Sequence, residues 1–122
     1  MSFDLRIGVK VADLDNVFVE IARPEYDSPT YNISKMFKVC TGWDFEQGVW
    51  YNCKDVLPKI KKGISELIVN EEEYVQYNAP NGWGDTQSAL CTLHSLLRCI
   101  QENSKEGGGF TDVPLDHLWV KW

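Results

Sequence analysis

No stretch of this 122-residue chain approaches the run of about 20 apolar residues that spans a bilayer. The N-terminus, Met-Ser-Phe-Asp-Leu-Arg-Ile-Gly-Val-Lys, begins polar and alternates like a strand, so neither a membrane segment nor a secretion signal is expected. A surplus of positive charge is missing too: 18 acidic residues face 12 basic ones, for a net charge of −6 and a pI near 4.8. Direct nucleic-acid binding, which needs a basic face to displace counterions, is therefore not expected. The imbalance is also too mild to favour nucleic-acid mimicry.

The four cysteines, Cys40, Cys53, Cys91 and Cys99, contain no CxxC pair. Cys91 and Cys99 fall on one predicted helix about 12 Å apart, beyond disulfide reach. Reduced thiols and a cytoplasmic location are the expectation. The two histidines, His94 and His117, lie in different segments. Cys91 and His94 are three apart on a helix, but a zinc site wants four ligands and nothing else supplies them, so no metal and no cofactor is expected. The nucleophile elbow GxSxG is absent, as are the phosphate-binding patterns GxGxxG and GxxxxGK[ST]. Asp44 and Glu46 lie in an aromatic loop where burial can raise a carboxyl pKa, although a solvated pair is the simpler description. Repeats, low-complexity blocks and interdomain linkers are lacking, so residues 1–122 read as a single domain.

What is present is an ordinary globular balance, 43% hydrophobic and 25% charged, enriched in large rings: five Trp, five Tyr and five Phe. Residues 3–9 and 16–22 read as strands, with Val17, Val19 and Ile21 on one face of the second and Phe18 and Glu20 opposite. Asp13-Leu14-Asp15-Asn16 is turn-like, which pairs the two strands as an antiparallel hairpin. After a polar connector, Glu25 to Pro29, a short helix runs from Ile33 to Val39, capped by Thr30 or Asn32 and stopped by Gly42. Residues 42–51 form an aromatic loop without an assigned structure. Asn52 or Asp55 caps a helix over 53–69, where Val56, Leu57, Ile60, Ile64, Leu67 and Ile68 make the apolar stripe and Lys54, Lys59, Lys61 and Lys62 occupy much of the opposite side. Pro58 is tolerable there if the helix begins near Asp55. Asn70 suggests a new cap, with Glu71, Glu72 and Glu73 at the start of a short helix that ends near Tyr77. Asp85 caps the last helix, 86–102, whose stripe is Ala89, Leu90, Leu93, Leu96, Leu97 and Ile100. Glu106-Gly107-Gly108-Gly109 reads as a flexible break, and the tail Leu118 to Trp122 alternates as a further strand. The predicted fold is α+β: a small antiparallel sheet, from the N-terminal hairpin and the C-terminal tail, covered by three to four helices.

Two aromatic–amide clusters remain as candidate sites. One is Tyr31-Asn32, with Met36 nearby; the other runs from Tyr77 and Asn78 through Asn81 and Trp83 to Asp85. Asparagine offers donor and acceptor together, and Tyr and Trp combine flat apolar area with a polar handle, as in a nucleobase or peptide pocket or an interface hot spot. The alternative is that the asparagines cap turns and the rings fill the core. Trp83 between Gly82 and Gly84 is either a core anchor or a presented contact. Asp85 argues against bare phosphate, since its carboxylate already uses the helix donors. The two clusters are expected to form one concave site, with Tyr31, Asn32 and Asn81 converging, Trp83 or Tyr77 as a wall and Met36 as a soft floor.

At these clusters the chain resembles a family of small phage and prophage proteins with an Asn-x-Thr-(His/Tyr)-Asn segment followed by a methionine. Later these proteins carry an Asn-Pro-Glu-Asn-Gly-Trp-Gly-(Asp/Thr) segment before a last long helix. The matching residues are Thr30, Tyr31, Asn32 and Met36, then Asn78, Asn81, Gly82, Trp83, Gly84 and Asp85. The chain departs at Ser28, where the first Asn would fall, and at Ala79-Pro80, where Pro-Glu would. The similarity covers roughly residues 28–103. It implies a phage-encoded protein of the bacterial cytoplasm and brings no established activity with it. The expected function is a non-catalytic binding protein, with a counter-defence role as one form of it, that takes a host protein or a small nucleotide-like ligand. A small enzyme acting on a nucleotide or modified base is the alternative, and a structural virion part ranks third. Homo-oligomerisation stays open.

Overall fold

The computed structural model describes residues 2–12, 14–15, 17–108 and 111–122. The fold is α+β, with a four-stranded antiparallel sheet in the order β2-β1-β4-β3. The strands are β1 (Arg6–Lys10), β2 (Phe18–Ala22), β3 (Trp50–Asn52) and β4 (Leu118–Lys121). The helices are α1 (Ser34–Thr41), α2 (Cys53–Val69), α3 (Glu71–Tyr74) and α4 (Thr86–Glu102).

The tail does return as a strand, and it takes a central place: β4 pairs with β1 through Ile7 opposite Val120 and with β3 through Tyr51 opposite Val120. Of the expected hairpin turn, Asp13 and Asn16 lie outside the described residues. β1 and β2 pair antiparallel as expected, with a bulge where Ile7 faces Ala22 and Gly8 faces Glu20. Alternation sorts the sheet residues onto two faces. Ile7, Leu118 and Val120 are fully buried under the helices. On the other face Phe18 stacks on Trp50 at 4.9 Å and meets Trp119 edge-on at 5.2 Å, with the Lys10 and Lys121 ammonium groups over Trp119 and Trp50. These rings lie on the face opposite Ile7, Leu118 and Val120.

α2 packs on α1 and α4. The three helices close on Gly63, where an added Cβ would lie 2.6 Å from Thr41 Cγ2 and 2.9 Å from Leu93 Cδ1. α2 starts at Cys53, capped by Asn52, whose side chain accepts from the Lys54 N–H at 3.0 Å. Pro58 therefore lies beyond the first turn, where its missing N–H removes one bond within the helix. The expected stripe of α2 is wider than the surface it buries: Val56, Ile60 and Leu67 are in the core, while Ile68 is 62% exposed. Asn70 does not cap α3 with its side chain, which instead donates to Glu66 Oε2 at 2.8 Å. Met36 and Phe37 bury one face of α1, and Gly42 closes that helix by donating its N–H to Lys38 O.

The aromatic loop of residues 42–51 supplies both core and strand. Trp43 and Phe45 are buried, and Phe45 stacks on Trp122 at 3.9 Å. Asp44 is solvated, 3.6 Å from the Lys38 ammonium. The expected break after α4 is an ordered turn over its described part, with the Gly107 N–H donating to Ser104 Oγ and the Leu115 N–H to Glu106 Oε2; Gly109 lies outside the described residues. Among the described residues, no helix is long and apolar enough to cross a membrane.

Candidate functional site

The turn before α4 is determined mainly by backbone bonds. The Ala79 N–H donates to Gly84 O at 2.9 Å and the Gly82 N–H to Ala79 O at 3.0 Å. Asn81 Oδ1 accepts from the Trp83 N–H at 3.0 Å, an Asx turn, and Asn78 Oδ1 accepts from the Thr86 N–H at 3.1 Å. Gly82 and Gly84 have φ of 76° and 129°, in the region that favours glycine. Gly84 also sits where a Cβ would meet Thr30 Cγ2 at 2.8 Å and Ile33 Cγ2 at 2.9 Å, so the turn presses directly on the segment before α1. Across that contact Asn32 Nδ2 donates to Trp83 O at 3.4 Å. The two sequence clusters thus meet at one residue: Asn81 holds the N–H of Trp83 and Asn32 its carbonyl. Trp83 itself is presented rather than anchored, with 72% of its surface exposed.

The remaining expected site residues take other positions. Met36 is fully buried and cannot floor a ligand site; the helix that begins at Ser34 turns it into the core. Tyr31 is half-buried, its ring edge-on to Phe3 at 4.4 Å and its hydroxyl bonded to the Gln47 side-chain amide. Tyr77, also half-buried, lies 5.6 Å from the Lys35 ammonium. Asp85 caps α4, with Oδ1 accepting from the Ser88 N–H at 2.9 Å and from the Ser88 hydroxyl at 3.0 Å. Those bonds, the backbone one first, hold its carboxyl below the ordinary value.

Trp83 and Asp85 open onto a groove of about 670 Å³ between α4 and the 25–30 segment, with Glu25, Tyr26, Asp27 and Cys91 also lining it. That segment looks like a connector in sequence, yet it is tied down on both sides. The Phe3 and Leu5 N–H groups donate to Pro29 O and Asp27 O, both at 2.8 Å, and the Tyr26 N–H reaches Ser95 Oγ on α4 at 3.2 Å. The buried Arg6 guanidinium lies 3.3 Å from Asp27 Oδ2. Cys91 is the exposed cysteine of the groove. Cys40, Cys53 and Cys99 are buried, which pushes the Cys40 thiol up to about 12, Cys99 up to about 11 and Cys53 upward as well. All four are unpaired.

A smaller groove, of about 250 Å³, continues from Glu25, Tyr26 and Cys91 along α4 to Arg98, floored by Ile64, Ile68 and Leu90. A third, of about 850 Å³, lies between the end of β1 and residues 112–117. It contains none of the converging residues and flanks positions outside the described set. The Trp83 groove is therefore the candidate site: an exposed indole on a fixed backbone, a second exposed ring and three carboxylates on two braced walls. Comparison with protein families, curated proteins and solved structures finds no match.

Proposed function

We propose that this chain is a non-catalytic binding protein of phage origin that uses the Trp83 turn and its groove to occupy a host protein surface in the bacterial cytoplasm, countering a host defence. The observation that carries the reading is the indole of Trp83, 72% exposed on a turn whose bonds are made by backbone and by Asn32, Asn78 and Asn81. None of those bonds uses the indole. A large ring with only two side-chain torsions, carried on a fixed backbone, offers much contact area for little conformational entropy lost on binding, which suits an interface hot spot. The phage setting rests on the resemblance over residues 28–103. A host protein is favoured over a nucleotide-like ligand because Glu25, Asp27 and Asp85 line the groove and would repel phosphate.

Native mass spectrometry of the protein purified from its bacterial host tests this. The expected result is a retained protein partner that is lost from Trp83→Ala. Equal retention by both forms would overturn the role of Trp83, and a retained species of nucleotide mass would turn the reading to the small-ligand alternative.

A further inference from the structure

We propose that the edge strand β2 pairs with the β2 of a second copy of this chain, antiparallel across a twofold axis at Val19, joining the two sheets into one. β2 stands at one end of the sheet order, with β1 on one side and no strand on the other. Its pairing with β1 fixes which backbone groups are left over. The Val11 N–H donates to Val17 O at 2.8 Å, and Val9 lies opposite Val19. Alternation in an antiparallel ladder then aims the N–H and C=O of Phe18 and Glu20 away from β1. Among the described residues nothing bonds to these groups. The side chains agree with the backbone: Val17, Val19 and Ile21 are 42%, 52% and 43% exposed. Edge strands are usually guarded by lysine or proline, and residues 17–22 hold neither. A bulge is the other common guard, but here it falls beyond Glu20, between the Gly8–Glu20 and Ile7–Ala22 pairs. The stretch from Val17 to Glu20 therefore stays regular and open.

A second copy fits this edge because the strand complements itself. The twofold at Val19 sets Phe18 opposite Glu20 of the other copy, and Glu20 opposite its Phe18. All of these residues aim their backbone groups outward, so each pair exchanges both bonds. Val19 meets its own copy at the centre, with Val17 and Ile21 flanking it. Charge does not oppose the meeting, although the chain carries −6 overall. Glu20 is the one charged residue of β2, and its Oε1 is held by its own chain, 2.8 Å from Arg23 Nε and 3.3 Å from Arg6 Nε. The register that would set Glu20 on Glu20 is disfavoured, since like charges directly opposite destabilise a pair. The other edge of the sheet, β3, has three residues and runs straight into α2. Pairing β2 with β3 would be short and would leave edges open at both ends, whereas β2 on β2 closes with two chains. This dimer does not rest on the reading of the Trp83 groove.

Sedimentation velocity of the full chain across the micromolar range tests it. Wild type is expected to pass from monomer to dimer as concentration rises. Val19→Lys should stay monomeric at every concentration while melting with wild type, because the substituted side chain is 52% exposed. Trp83→Ala should dimerise like wild type. Cross-linking reads the register without a charged substitution, and so still decides the matter if Val19→Lys does not fold. In a Cys91→Ser background, which removes the exposed native thiol, Val19→Cys and Val17→Cys are oxidised in turn. The two copies of residue 19 face each other about 4.5 Å apart between Cα atoms, within disulfide reach. The two copies of residue 17 are offset by about 13 Å at about 3.3 Å per residue, beyond it. Val19→Cys should therefore form a covalent dimer and Val17→Cys should not. A wild-type chain that remains monomeric, a dimer undiminished by Val19→Lys, or cross-linking as ready at position 17 as at position 19 would each overturn the proposal. So would a native mass spectrum showing a different protein bound to the monomer and lost from Val19→Lys, which would assign the edge to that protein.

Discussion

Trp122 and Trp83 carry the same side chain into opposite surroundings. Trp122 is 1% exposed, stacked on Phe45 and in edge or tilted contact with Phe3, Phe37 and Trp43. Trp83 is 72% exposed, with its backbone held at both ends. The difference lies in the local backbone. Leu118, Val120 and Trp122 alternate onto the covered side of the sheet, so the tail delivers its last ring into the core. Trp83 stands between two glycines at positive φ, and the sharp turn they permit carries its ring away from the neighbours that would bury it. A buried ring is accounted for by packing. An exposed ring on a stiff turn contributes nothing comparable to the fold.

The sharpest way to break this contrast is at Trp122. Trp122→Ala should destabilise the chain by about 3–5 kcal/mol, the range for truncating large aromatic groups in cores, because the rings of Phe3, Phe37, Trp43 and Phe45 border the space it leaves. Urea denaturation followed by circular dichroism measures it. A loss below about 1 kcal/mol would mean that the tail does not anchor the core, and the distinction between the two tryptophans would lose its structural half.

The same contrast explains what the sequence makes legible. The helices over 53–69 and 86–102 are readable because an apolar stripe of helical period follows a good cap, Asn52 in one case and Asp85 in the other. β3 is not, since three residues inside an aromatic loop are too few to show alternation. Trp83 stands out in sequence through its flanking glycines, and Asn32 and Asn81 meet at its backbone, where their amides hold the turn, while Tyr31 turns away to Phe3 and Gln47. The opposite wall, Glu25 and Tyr26, gives no such sign. Between Pro24 and Pro29 it has the composition of a connector, and the bonds that fix it come from Leu5, Arg6 and Ser95, far away in the chain. Met36 is buried for a related reason: proximity in sequence to Asn32 does not decide which way the next helical turn points.

A smaller effect is expected at Asp85, which belongs both to the turn and to the groove. Asp85→Ala removes the cap of α4 and should cost about 0.5–2 kcal/mol near neutral pH, toward the lower end because the carboxylate is exposed to solvent. The folded state depresses its pKa below the ordinary 3.8. Its charge-dependent contribution is therefore fully present above that value and is lost as pH falls through the lower folded pKa. The stability gap between wild type and Asp85→Ala should accordingly narrow in acid. Denaturant midpoints of the two proteins across the acid range would show it, and a gap that widened in acid would contradict the assigned cap.

The smallest effect should come from Trp83 itself. Trp83→Ala removes the largest exposed side chain of the turn and none of its hydrogen bonds. The Trp83 N–H still meets Asn81 and the carbonyl still meets Asn32, because both bonds use only the backbone of residue 83. The stability change should stay within about 0.5 kcal/mol, as for surface substitutions away from special features. The spectroscopic change should be large by contrast. Trp43 and Trp122 are buried and Trp50 and Trp119 half-buried, so Trp83 is the most solvent-exposed of the five indoles and the most open to iodide. Wild type should show an iodide-quenchable, red-shifted emission component that is missing from Trp83→Ala, while the two proteins melt together. Should the variant instead lose several kcal/mol, the indole would be packing against the 25–30 segment as part of the fold. The groove would then be a seam between structural elements, and the case for a presented contact would end there.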